Sequence, residues 1–330
     1  MAFTLSDLDR ATALVRRHMA PTPQYAWPLL GRAVGAEVWV KHENTTPTGA
    51  FKVRGGLVYA DRMVRERPQV AGMVSATRGN HGQSLAYAGR AAGRRVVIVV
   101  PQGNSPDKNA AMEAFGAELV VHGRDYQEAR EFAMSRGEEL GLEPVPPFHE
   151  DLVVGVATYA RELFDTAGPL DAVYVPVGMG SGICGLIGVR DLLGLPTEIV
   201  GVVAEGAPAY ARSFKAGQPV ETESALTFVD GVACRTPVDT AVETIVKGAA
   251  RVVVVPDDQT AEAMRLLLRT THHLCEPSGA IATAGLLAER DRMQGRRVAV
   301  IMTGGNCDAD LLTAVLEGRT PPPCPAYLRP

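Results

Sequence analysis

Residues 46–56 read TPTGAFKVRGG, and they place Lys52 in what reads as a short turn between glycines, directly after Phe51. A lysine in water needs none of this, and as a solvated cation Lys52 would require no explanation. A lysine amine withdrawn from water beside an aldehyde behaves differently: it forms an imine and can later carry a proton. The rest of the chain decides between these two readings.

The chain has 330 residues, 46% of them apolar and 21% charged, with a formal net charge of −4. This is the composition of an ordinary folded protein, long enough for two subdomains with a large buried interior. No basic stripe with interleaved aromatics points to a nucleic-acid partner. The longest apolar runs, such as that in RRVVIVVP at 94–101, have strand length and fall far short of the roughly 20 residues that cross a bilayer. The beginning, MAFTLSDLDRATALVRRH, lacks the apolar core of a leader, so a cytoplasmic protein with no membrane partner is expected. Cys184, Cys234, Cys275, Cys307 and Cys324 are odd in number and form no C-x-x-C pair, which favours reduced thiols over a disulfide frame or a zinc site.

Short β-branched runs alternate with longer helical patterns, the signature of parallel strands joined by helical crossovers. One set comprises a strand at Val74, a helix over 81–92 closed by Gly93, a strand over 95–100, a helix over 106–115, a strand over 119–122 and a helix over 126–140. A second comprises a strand over 171–177, a helix over 183–193, strands over 199–204 and 251–255, a helix entered through Asp257 as N-cap, and a strand over 298–302. The proline-bearing stretch GLEPVPPFHED at 141–151 separates the sets, and RTPPPCPAYLRP at 319–330 reads as an extended tail.

Ligands of open parallel sheets bind beyond the carboxyl ends of the strands, where loops enter helices. TRGNHGQ (77–83), GMGSGICG (178–185) and TGGNCD (303–308) each follow a predicted strand there. In PVGMGSGICG the glycines let backbone N–H groups converge on an anion at the positive end of a helix dipole. The spacing of Gly178, Gly180 and Gly182, with Glu205 after the next strand, also imitates a dinucleotide fingerprint, so a nicotinamide-dependent oxidoreductase stands beside a phosphate cup. Lys52 tips the balance, because a phosphate cup with a reactive lysine is what pyridoxal 5'-phosphate requires.

KHENTTPTGAFKVRGG, TRGNHGQSLAYAGR, PVGMGSGICG, EPSGA (276–280) and TGGN occur in the order and approximate spacing of the fold-type II pyridoxal-phosphate enzymes. The chain resembles that group, which includes serine/threonine dehydratases and serine racemase, from about Leu5 to about Leu316. The resemblance implies a tryptophan synthase β-like fold, α/β with two open, twisted, mainly parallel sheets and flanking helices. It also implies a large discontinuous cofactor-binding domain of 1–70 and 149–330, a small mobile domain of 71–148, and a homodimer. Lys52 is then the Schiff-base lysine and Phe51 the aromatic beside the cofactor ring, although an ordinary core phenylalanine fits that position equally. Asn80 donates to the phenolic oxygen, and Gly178, Met179, Gly180, Ser181 and Gly182 hold the phosphate. Thr303 faces the pyridine nitrogen with a hydroxyl, which makes a milder electron sink than a carboxylate would and favours elimination over transamination. Thr77, Gly79 and Asn80 hold the substrate carboxylate, with His81 either assisting or structural.

Three departures from the group's pattern refine this. Arg78 stands where racemases place a serine, and a guanidinium is a poor acid, so a serine relay for racemisation is not expected. Arg78 instead pairs with the cofactor phosphate, the substrate α-carboxylate or a second substrate carboxylate, or else turns out to solvent. Glu205 matches one ligand of the divalent ion of racemase-like relatives, but Ala211 stands near the second, so no metal is expected. The chain stops after one catalytic unit, and the added regulatory domain of biosynthetic threonine deaminases is not expected. The resulting expectation is a dehydratase releasing a 2-oxo acid and ammonia from a β-hydroxy-α-amino acid. TRGNHGQ with TPQYAWP (22–28) resembles the phenylserine dehydratases and suggests phenylserine, with phenylpyruvate as product. Threonine, serine and 3-hydroxyaspartate are the alternatives.

Overall fold

The computed structural model describes residues 3–323. The last part of the proline-rich end, 324–330, lies outside the described residues and takes Cys324 with it, while 319–323 has no regular structure. The four other cysteines are free thiols.

In chain order the elements begin with α1 (Leu5–Val15), β1 (Gln24–Ala26), α2 (Pro28–Val34), β2 (Glu37–His42), α3 (Lys52–Glu66), β3 (Gly72–Ala76), α4 (Asn80–Ala91) and β4 (Arg95–Val100). Next come α5 (Pro106–Ala114), β5 (Glu118–Val121), α6 (Tyr126–Leu140), β6 (Glu143–Pro144), α7 (Glu150–Ala167), β7 (Ala172–Pro176) and α8 (Ser181–Leu192). The chain continues with β8 (Glu198–Ala204), α9 (Ala209–Ala216), α10 (Asp239–Gly248), β9 (Arg251–Val255), α11 (Asp257–Thr271), α12 (Pro277–Ala288), β10 (Arg297–Met302) and α13 (Ala309–Leu316).

Two compact units result, and among the described residues the larger holds 3–5, 21–45 and 159–323, the smaller 6–20 and 46–158. This grouping draws 6–20, 46–70 and 149–158 to the smaller sheet, whereas the sequence reading set them in the large domain. The smaller unit carries a four-stranded parallel sheet of order β5-β4-β3-β6. Its β3 is buried along its whole length, as a strand covered on both faces must be. The larger unit carries a six-stranded sheet of order β1-β2-β10-β7-β8-β9, parallel except for the edge pair β1 and β2.

Most expected elements lie within two residues of their predicted bounds, and 95–100, 126–140 and 251–255 coincide with β4, α6 and β9. Differences have local causes. Lys52 is the first residue of α3, not part of a turn. Asp257 opens α11, and the residue before it, Pro256, takes the extended cap position. The strands β1 and β2 were not foreseen: β1 is three residues long, ends just before Trp27 and Pro28, and exists only through its antiparallel pairing with β2.

Candidate active site

In the larger unit, β2, β10 and β7 are parallel neighbours, so their carboxyl ends deliver three loops to one edge of one sheet. β10 ends at Met302 and hands on Thr303; β7 ends at Pro176 and hands on 178–182; β2 ends at His42. The turn 178–182 is built for close backbone approach. A Cβ on Gly178 would stand 2.2 Å from the Gly231 carbonyl oxygen, and Gly180 is left-handed at φ 99°. Gly180 is the N-cap of the 12-residue α8, and no side chain caps that helix, so its first N–H groups and its dipole point at the turn. Neighbours fix the turn from behind: Tyr210 Oη donates to the Met179 carbonyl at 2.9 Å, and Tyr159 Oη donates to the Gly182 carbonyl at 3.0 Å. The donor set fits a phosphate.

Thr303 is buried, and its Oγ1 donates to the Ser278 carbonyl at 3.1 Å. With its one proton so placed, the hydroxyl presents lone pairs to whatever faces it, unless it rotates. Ser278 Oγ accepts from Gly231 N–H at 3.0 Å, and Glu276 N–H donates to the Gly304 carbonyl at 3.1 Å. The EPSGA stretch therefore ties the Thr303 loop to the single 3-10 turn Asp230–Val232 behind Gly178. Gly231, Tyr159 and Tyr210 escaped the sequence reading, since they lie far from any glycine motif in the chain and meet the turn only through the fold.

The smaller unit carries the remaining candidates. Lys52 Nζ lies over the Phe51 ring, 5.1 Å from its centroid. Two helices close on the lysine through its glycines. A Cβ on Gly56 would meet Ser84 Oγ at 2.3 Å, and one on Gly55 would meet the Leu152 carbonyl oxygen of α7 at 2.7 Å. Ser84 Oγ in turn donates to the Lys52 carbonyl at 2.6 Å. The glycines flanking Lys52 on its C-terminal side thus serve close packing, not a turn.

After β3, Thr77 Oγ1 accepts from Gly79 N–H at 3.2 Å and shapes the entry to α4, which Asn80 opens. Gly82 is required because a Cβ there would meet Met112 Sδ at 2.4 Å and Thr77 Cγ2 at 2.6 Å. His81 is buried with its Nε2 unpartnered, while the Val145 carbonyl engages its ring. Burial first and the Lys52 charge second push the His81 pKa down to about 3, so the ring is neutral near neutrality. Arg78 is partly buried, not turned fully to solvent. The fold thus gathers Lys52, Phe51 and 77–81 within one unit, and 178–182 and Thr303 within the other. Among the described residues no group of three or more His, Cys, Asp or Glu is placed to hold a metal ion, and no helix is long and apolar enough to cross a membrane.

Residues 15–304 match the family described as "Pyridoxal-phosphate dependent enzyme". Among curated proteins, the chain is 30% identical to an L-threo-3-hydroxyaspartate ammonia-lyase of Pseudomonas sp, over 94% of this chain and 98% of that protein. It is 29% identical to the L-threonine ammonia-lyase of Thermotoga maritima, over 95% of this chain and 78% of that protein. Among solved structures, the T.th. threonine deaminase is 30% identical with a TM-score of 0.87, covering 93% of this chain and 99% of that one. Maize serine racemase, at 23% identity and a TM-score of 0.90 over 96% and 98% of the two chains, shares the fold. These relatives carry threonine, hydroxyaspartate or serine in their names; they lend no support to phenylserine, and the nicotinamide reading of 178–182 falls with the family match.

Proposed function

The chain belongs to the pyridoxal-phosphate dependent enzymes, and on that premise we propose that it is an ammonia-lyase that eliminates the β-hydroxyl of a β-hydroxy-α-amino acid, releasing a 2-oxo acid and ammonia. The observation that carries the reading is Lys52 at the start of α3, near enough for its charge to act on the buried, neutral His81, in a chain that matches 98% of an L-threo-3-hydroxyaspartate ammonia-lyase. The cofactor supplies the electron sink for the pair left at Cα. The residues do the rest. Lys52 Nζ would hold the cofactor, and as a free amine it would serve as the base for the α-proton. Thr77, Gly79 and Asn80 orient the α-carboxylate; Asn80 and Phe51 also face the cofactor ring.

The turn 178–182 and the first N–H groups of α8 hold the phosphate. Thr303 would bring no charge to the ring nitrogen, so the cofactor would be a milder electron sink there, which favours elimination. Arg78 contributes a fixed positive charge to the anionic ligands. The same reading makes the enzyme a cytoplasmic homodimer whose smaller unit moves, which sedimentation and hydrogen exchange would test.

Purified protein should show the absorbance of a lysine-bound cofactor, and borohydride trapping with peptide mapping should place the pyridoxyl group on Lys52. Initial rates of 2-oxo acid release from threonine, serine, threo-3-hydroxyaspartate and phenylserine then rank the substrates. Trapping on another residue, or no 2-oxo acid from any of the four, would sink the reading.

A further inference from the structure

β7 and β8 are parallel neighbours, with Pro176 opposite Val202, so the loops that leave their carboxyl ends rise side by side. The first is the glycine turn 178–182; the second, 205–208, leads into α9. Gly206 pins that second loop, since Leu226 N–H donates to its carbonyl at 2.8 Å and a Cβ there would stand 1.7 Å from the Leu226 carbonyl oxygen. Tyr210, the second residue of α9, is 1% exposed, and its hydroxyl joins two backbones. It donates to the Met179 carbonyl at 2.9 Å and accepts at 3.1 Å from the N–H of Val238, which caps α10. Burial pushes the Tyr210 pKa up, so the hydroxyl keeps the one proton it donates. α10 in turn packs on α8, the helix that leaves the glycine turn. A Cβ on Gly248 would meet Ile187 Cγ2 at 2.2 Å, and Cys184 Sγ lies 3.9 Å from the Ala241 carbonyl oxygen. The Tyr210 hydroxyl therefore closes a frame that runs from the turn through α8 and α10 and back to the turn.

A trans peptide sets its C=O and N–H on opposite sides, and the described residues contain no cis peptide bond. With the Met179 carbonyl drawn to Tyr210, the N–H of Gly180 points away from that tyrosine. Gly180 is buried, and among the described residues none accepts this N–H. A buried donor left in that state costs free energy until an acceptor arrives. GMGSGICG at 178–185 contains no lysine or arginine, so the turn's own hold on an anion depends on where its N–H groups point.

We propose that Tyr210 is a positioning residue for the cofactor phosphate: its hydroxyl fixes the Met179–Gly180 peptide with the Gly180 N–H aimed at the phosphate, and this one bond carries much of the protein's preference for pyridoxal 5'-phosphate over pyridoxal. In this role Tyr210 acts through Gly180 without touching the cofactor. The inference rests on the phosphate reading of 178–182 and goes beyond it in naming the residue that orients a donor. Tyr159 is the contrast. It donates to the Gly182 carbonyl, which lies inside α8, where the helix already fixes the peptide.

The test titrates the full chain, stripped of cofactor, with pyridoxal 5'-phosphate and with pyridoxal, which keeps the aldehyde for Lys52 and lacks the phosphate. In Tyr210→Phe the affinity ratio of the first to the second should fall about tenfold, as one lost charge-assisted bond implies, with pyridoxal binding within about twofold of the wild type. The phosphorus resonance of the bound cofactor should move in the Tyr210→Phe holoenzyme and stay in place in Tyr159→Phe. Equal weakening of both ligands leaves the ratio where it was, marks a merely structural tyrosine and overturns the proposal. Equal losses of the ratio in the two tyrosine variants also overturn it, because they mark loosening of the turn at large. If Tyr210→Phe does not fold, amide hydrogen exchange in the wild type decides: inorganic phosphate should slow exchange at Gly180, and a Gly180 amide left unprotected overturns the proposal. A wild type that binds pyridoxal as tightly as its phosphate sinks the phosphate reading of the turn and the proposal with it, whereas a wild-type preference that Tyr210→Phe retains removes the role of Tyr210 alone.

Discussion

At the scale of the residue, the proposed reactivity rests on the Lys52 amine, which lies over the Phe51 ring. Replacing Lys52 with alanine should abolish the covalent cofactor adduct and lower turnover by about a thousandfold or more, because the variant loses both attachment and base. Stopped-flow and steady-state rates check this; an adduct that survives would remove Lys52 from its role. Lys52, Asn80 and Gly178 stand out in the sequence as candidates because each sits inside a local motif. The packing of the Lys108 stem over Gly79 does not, since it is made across the pairing of β3 with β4 and leaves no mark on sequence spacing. Nor was the Ser278 carbonyl visible as the partner of Thr303.

At the scale of the element, the glycines after Lys52 set how closely α3 approaches α4 and α7. Gly56→Ala should cost about 1–3 kcal/mol, the usual penalty for overpacking a well-filled site, because the new methyl meets both Ser84 Oγ and the Ser84 carbonyl, at 2.3 and 2.9 Å. It should also displace the hydroxyl that holds the Lys52 carbonyl, so the cofactor adduct should weaken along with stability. Urea unfolding and cofactor titration measure the two effects; a variant as stable as the parent contradicts the packing described. Lys41 on β2 makes a second test. Its ammonium is fully buried and pairs with Glu162 of α7 at 2.6 Å, also donating to the Thr22 carbonyl. Lys41→Met should destabilise by about 3–5 kcal/mol, since it leaves a buried carboxylate without that counter-charge, and adding Glu162→Leu should recover much of the loss. A double variant no better than the single one would show the pair to be something else. Strand and helix periodicities were readable for the central elements, where burial on both faces enforces apolar runs. They failed at β1, whose three residues carry too little pattern, and at the start of α3, where the glycines mimic a turn.

At the scale of the whole molecule, each unit encloses an imidazole that folding keeps neutral, and both lower stability in acid. His42 in the larger unit is buried, and its Nε2 accepts from Trp27 Nε1–H at 3.0 Å, a bond an imidazolium could not accept. Burial first, then the neighbouring His273, brings the His42 pKa down to about 4; His81 in the smaller unit is brought to about 3. Both lie below the value of about 6.5 that the unfolded chain offers. Between these limits the unfolded chain binds more protons than the folded one, so stability is fully present above about pH 6.5 and drains away as pH falls toward 4 and 3. By pH 5 each histidine should cost about 2 kcal/mol. His42→Gln keeps an acceptor for Trp27 and cannot be protonated. Its unfolding free energy, measured in urea at about pH 7.5 and about pH 5, should therefore fall by about 2 kcal/mol less than the parent's over the same interval. Parallel losses in variant and parent would mean that His42 is protonated, or solvated, within the folded protein.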